Sequence, residues 1–112
     1  MAVSEEVVRK QALALPDVTE APSYGTPGFK VRGKLFARLH QDGESVVVRM
    51  DPIEREIAVG ANPDVFFVTD HYLGHPWVLV RRARISASLL RQTLRAAWET
   101  AGAKAPKSAR GR

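Results

Sequence analysis

The sequence predicts an α+β domain of two layers, with a mainly antiparallel sheet and the element order α-β(3)-α-β(2)-α. Three observations predict it. Apolar residues recur at every second position through residues 29–39, the period of a half-buried strand. Three other stretches repeat them every third or fourth position behind capping residues, the period of a helix. Gly33 and Asp42-Gly43 mark turns too short to join parallel strands. Helices at both ends of such a sheet define the class.

Taken in order, Ser4 is placed to cap a first helix, with Glu5 and Glu6 in its positive first turn. Val8, Ala12 and Leu15 form its apolar stripe, Glu5 faces Arg9 and Glu6 faces Lys10 one turn on, and Pro16 ends it. A turn through Pro22 leads to the first hairpin. Phe29, Val31, Leu35, Ala37 and Leu39 hold its odd positions, and Lys30, Arg32, Lys34 and Arg38 its even ones. That pattern gives an apolar inner face and a cationic outer face. A three-residue turn, Arg32-Gly33-Lys34, keeps the odd residues together. A two-residue turn brings Phe36 to the face of Phe29 and Val31 instead, and the sequence permits both.

Asp42-Gly43 turns the chain into a third strand, residues 45–50. Asp51-Pro52-Ile53-Glu54 reads as a cap, a proline at the first helical position and a capping-box acid. The short second helix that follows carries Ile53 and Ile57 one turn apart and ends near Gly60. Residues 65–68 and 77–80 form two further strands. Ser86 caps a last helix whose Leu90, Leu94, Ala97, Trp98 and Ala101 share a face. Residues 1–102 thus make a single domain, and residues 103–112, basic and with nothing to bury, read as a disordered tail.

Composition bounds the function. A chain of 112 residues, 45% hydrophobic and 26% charged, suits one soluble domain. It has no cysteine, which removes disulfides, thiolate metal sites and cysteine nucleophiles. No apolar run is long enough for a membrane span, and the first residues are acidic, so the expected location is cytoplasmic. Charge is uneven. Residues 1–80 hold 8 Lys/Arg against 11 Asp/Glu, and residues 81–112 hold 9 against one, giving −3 and +8 within the chain's +5. A basic end of this kind points to an anionic partner.

Catalytic and metal motifs fail on inspection. Residues 28–34 fit G-x-x-x-x-G-K, but Leu35 follows where a phosphate-binding loop needs a hydroxyl, and strands flank it instead of a helix. His71 and His75 lie four apart, yet Gly74 and Pro76 oppose a helix there, and only Asp70 is near as a third ligand. No G-x-S-x-G elbow and no paired carboxylates occur. The expectation is therefore no catalytic residue, no metal, no cofactor and no enzymatic activity. Two binding sets remain. Arg32, Lys34, Arg81, Arg82, Arg84, Arg91 and Arg95, with Lys104, Lys107, Arg110 and Arg112 of the tail, are candidates for nucleic-acid phosphates, and Lys30 and Arg38 of the outer face could line the same surface. Tyr24, Phe36, His71, Tyr72 and Trp77 are candidates for an apolar pocket serving a small ligand or a protein partner.

The run from Tyr24-Gly25-Thr26-Pro27-Gly28-Phe29 through Val31 to Gly33-Lys34-Leu35-Phe36-Ala37 resembles the signature of the MmcQ/YjbR-like family. Ala14-Leu15-Pro16-Asp17-Val18, Met50-Asp51-Pro52, the Tyr72 to Trp77-Val78 segment and the last helix resemble it too. The resemblance spans about residues 4–101. It implies a two-layer α-β(3)-α-β(2)-α fold similar to that of secretion chaperones. It also implies DNA binding through a double wing, here the hairpin at Gly33 and residues 81–84, with little base readout. No catalytic residue comes with it.

Overall fold

The computed structural model describes residues 2–102; the predicted tail lies outside them. Helix α1 (Glu5–Leu13) leads into strands β1 (Val18–Ser23), β2 (Thr26–Val31), β3 (Lys34–Leu39) and β4 (Ser45–Arg49). Helix α2 (Pro52–Ala61), the short β5 (Phe66–Phe67), a 3-10 turn at Asp70–Tyr72, β6 (Trp77–Arg81) and α3 (Ala87–Gly102) complete the chain. The six strands form one antiparallel sheet in the order β1-β2-β3-β4-β6-β5. Helices α1 and α3 cover one face, with α3 laid across β2, β3 and β4. The α+β class is as expected, and the strand count before α2 is four instead of three.

The added strand is β1. Its polar Thr19 and Glu20 and its Pro22 read as a turn, but β1 is the outermost strand, where a proline's missing N–H breaks no ladder needed on both sides. Pro22 pairs with Pro27 across to β2. Arg9 confirms the docking: it reaches Glu20 of β1 at 2.7 Å, and of the two i,i+4 pairs expected in α1 neither forms. Instead Glu6 lies 3.7 Å from Arg9, and Glu5 approaches Arg82 at 3.9 Å.

Both turns of the β1-β2-β3 meander have two residues. Tyr24-Gly25 has φ of 55° and 83°, and Arg32-Gly33 has 54° and 82°. Positive φ at both positions gives the twist that antiparallel neighbours need. The second turn pairs Val31 with Lys34 and Lys30 with Leu35, after which the register shifts so that Phe29 faces Ala37. Phe36 is therefore the extra residue of a β-bulge. Turn and bulge together settle the register. The two-residue turn brings Phe36 into the core beside Phe29 and Val31, and the bulge restores Ala37 and Leu39 to the same face. Leu35 goes to the other face, contrary to its odd-position grouping.

The core between sheet and helices is formed by Phe29, Val31, Phe36, Val46, Val48, Val78 and Val80 with Val8, Leu90 and Leu94. Caps lie where predicted. Ser4 Oγ accepts from Val7 N, Asp51 Oδ1 from Glu54 N at 2.9 Å, and Ser86 Oγ from Leu89 N at 3.0 Å. In the β3–β4 turn Asp42 accepts from the Glu44 and Ser45 amides and the Ser45 hydroxyl. Partial burial pushes the Asp42 carboxyl up, but these bonds and His40 outweigh it and hold it below the usual range. Helix α2 departs from expectation: Ile53 and Ile57 are 73% and 67% exposed, while Arg55 is 7% exposed.

A non-glycine residue in left-handed backbone costs about 1 kcal/mol, and Asn-Gly is the favoured pair for this turn type. Arg32→Asn is therefore expected to raise stability by about 0.5–1 kcal/mol. The urea midpoint should rise with the denaturant slope unchanged.

Candidate functional site

The face of the sheet away from α1 and α3 carries Lys30, Leu35, Arg38, Val47, Arg49, Trp77, Leu79, Arg81 and Phe67, as the strand pairings dictate. Residues 69–76 fold over part of it, seating Tyr72 against Val47 and Leu79. Between this segment and the Tyr24 turn lies a cleft of about 530 Å³, lined by Tyr24, Leu35, Arg38, His40, Gln41, Val47, His71, Tyr72, His75 and Trp77.

What shapes the cleft is Arg55. Its Nη1 donates to the carbonyls of Tyr72, His75 and Trp77 at 3.2, 2.7 and 2.9 Å, and its Nη2 to that of Leu73 at 3.0 Å. One side chain from α2 thus gathers four carbonyls of an irregular segment that supplies few ladder bonds of its own. His71 and His75 lack the helix that two metal ligands would share: the 3-10 turn ends at Tyr72. His71 instead meets the Tyr72 ring edge-on at 4.8 Å.

Arg38 is the chemical centre. It pairs across the sheet with Val47 and Gly28, and it is 5% exposed. Its Nη2 donates to the Tyr72 hydroxyl at 2.8 Å, and its Nη1 to Gln41 Oε1 at 3.1 Å, the Leu39 carbonyl at 3.2 Å and Thr26 Oγ1 at 3.4 Å. The Tyr24 ring stacks on it at 4.9 Å. Gln41 Nε2 in turn donates to the Tyr24 carbonyl at 3.2 Å, tying the turn to the guanidinium. All of these partners are neutral. Among the described residues no carboxylate reaches Arg38, and its Nε–H and second Nη2 proton have no partner. A guanidinium held by neutral partners alone, with donors to spare beside a cleft, has the chemistry to receive an anion.

Two further arginines edge the same face. Arg49 lies 4.6 Å from the Trp77 ring and donates to the Leu35 carbonyl at 3.0 Å; burial pulls its guanidinium below the usual arginine value. Arg81 lies 4.1 Å from the Phe67 ring and donates to the Pro63 carbonyl at 3.1 Å.

Of the five pocket residues expected from sequence, Tyr24, His71, Tyr72 and Trp77 line this one cleft, and Phe36 does not. Phe36 is fully buried on the opposite face, because the bulge turns it inward. The cations expected at phosphates divide. Arg81 and Arg82 donate to backbone carbonyls, Arg82 to those of Val3 and Gly43. Arg95 pairs with Glu99 at 3.3 Å. Arg32, Lys34, Arg84 and Arg91 are exposed or half-exposed and unpaired with acids among the described residues. Lys104, Lys107, Arg110 and Arg112 lie outside those residues. Sequence reasoning named Arg38 only among the outer-face cations that could meet phosphates, and it missed Arg49 and Arg55 as site residues. The available signal was Arg55, an arginine between two isoleucines on a helix.

These features define a small α+β domain with an arginine-floored, aromatic-rimmed cleft on its open sheet face. The chain belongs to the YjbR family, whose family model matches residues 13–100. It is similar in structure to the Deinococcus radiodurans protein DR2400, a DUF419 domain, with a TM-score of 0.77 and 23% identity over 94% of this chain and 83% of that one. That likeness shows the fold. No curated protein matches the sequence. Among the described residues no helix is long and apolar enough to cross a membrane.

Because Arg55 alone ties four carbonyls, Arg55→Met should cost about 2–4 kcal/mol, the range for losing several bonds to a buried charge. Amide exchange is expected to accelerate most at residues 71–77, with the α1–α3 core protected. Arg55→Lys should rescue little, since an ammonium cannot span the same carbonyls.

Proposed function

We propose that this domain is a cytoplasmic ligand-binding module, not an enzyme, and that its cleft receives an anion on Arg38. One observation carries the reading: the Arg38 guanidinium is buried, partnered only by neutral groups and left with unused donors beside the cleft. The lining supports it. Guanidinium, imidazoles and hydroxyl stand over Leu35 and Val47, with no carboxylate among the lining residues to repel an anion. Isothermal titration with ribose 5-phosphate is expected to show one site, and Arg38→Met should weaken it about 10- to 150-fold, the range for a hydrogen bond to charge. The fold should survive, since Arg38 has no buried partner charge to strand.

A second reading is supported by a different surface. Arg91 and Arg95 lie four residues apart on α3, about 6 Å along its axis. Arg32 Nη1 reaches the Gly102 carbonyl at the helix end at 3.5 Å. This row lies on the helical side, opposite the cleft, and includes the hairpin expected as one wing of a DNA-binding double wing. Contact of four phosphates by Arg32, Lys34, Arg84 and Arg91 predicts that log K falls with log[salt] at a slope of about −3.6. Duplex DNA that fails to bind at low salt ends this second reading and leaves the cleft untouched.

A further inference from the structure

We propose that the ligand of the cleft is a nucleoside phosphate, with its phosphate on Arg38 and its base stacked at the Tyr24 and Trp77 rim. The proposal rests on the anion-site reading and adds the ring. A bare anion would leave the rim unexplained. Tyr24 is 76% exposed, so folding does not require its ring. It also holds a left-handed conformation, φ 55°, at a turn position where Asn or Gly fits without strain. A strained, exposed aromatic beside a buried cation marks a ligand contact.

The second wall agrees. Trp77 lines the cleft while its ring carries Arg49 at 4.6 Å, an arrangement that fixes the indole as a flat wall of the cleft. His71 and His75, from the segment that Arg55 holds, line the same space and offer hydrogen-bonding edges to a base. The cleft's 530 Å³ falls within the usual span for sites that hold such compounds. Aromatic faces next to arginine on an open sheet face are the elements by which bases and phosphates are bound together.

The nucleotide has two sources, a free mononucleotide or one unit of a single strand, and the test separates them. Adenosine 5′-phosphate, ribose 5-phosphate and a single-stranded oligoadenylate hexamer are each titrated, following the Trp77 indole and Tyr24 amide signals. Adenosine 5′-phosphate should bind about 5- to 150-fold tighter than ribose 5-phosphate, the contribution of one stacked base. Tyr24→Asn, which suits the turn but also removes the ring lying over Arg38, should lower adenosine 5′-phosphate affinity more than ribose 5-phosphate affinity and so remove most of that gain. A hexamer that binds tighter than the mononucleotide, with the same signals moving, assigns the ligand to a single strand; a hexamer that does not assigns it to the free compound. Equal affinity for adenosine 5′-phosphate and ribose 5-phosphate, or a gain undiminished in Tyr24→Asn, overturns the proposal and leaves the anion site standing. Failure of all three to bind overturns both.

Discussion

The β-bulge at Phe36 is the constraint from which the rest of the architecture follows. A two-residue turn at Arg32-Gly33 without it would continue the pairing unshifted and carry Arg38 into the core among Phe29, Val31 and Leu90. A lone guanidinium there would be untenable. One extra residue reverses the alternation after Phe36, so the same strand sends Phe36, Ala37 and Leu39 to the helices and Leu35 and Arg38 to the open face. Core and site are thus built by a single local irregularity, as bulges beside binding sites commonly do.

A second theme is how the chain uses arginine. Arg55, Arg81 and Arg82 are internal ties whose donors gather backbone carbonyls from segments that lack regular pairing. The planar fork of guanidinium suits that task in a way an ammonium does not. Arg38 is built like them, and what sets it apart is that it lines the open cleft. Net charge, which first drew attention to residues 81–112, is a poor guide to this division: Arg81 and Arg82 fall inside the basic stretch and are structural, while Arg38 lies in the acidic part of the chain.

Much of the fold was legible. Caps at Ser4, Asp51 and Ser86 and the stripe of Leu90, Leu94 and Ala97 follow from local rules and stand in the structure. What escaped was non-local. The β1 strand is defined by its pairing with β2 and not by its own composition, and Ile53 and Ile57 mimic a core stripe that Arg55 in fact provides from the inward side. Four pocket aromatics and histidines were recognisable as types, since large rings near a glycine-rich turn have few other uses. Phe36 was placed in the pocket and Leu35 in the core for one reason: period-2 reasoning has no means of seeing a bulge.

The central claim is that Arg38 is a buried cation held open for an anion. The most direct measurement is the side-chain Nε–H resonance of Arg38 during titration with ribose 5-phosphate. A protected Arg38 signal in the free domain should shift and saturate with the ligand, together with the Tyr24 amide and the Trp77 indole. An Arg38 signal that stays fixed while exposed arginines such as Arg84 shift would contradict it.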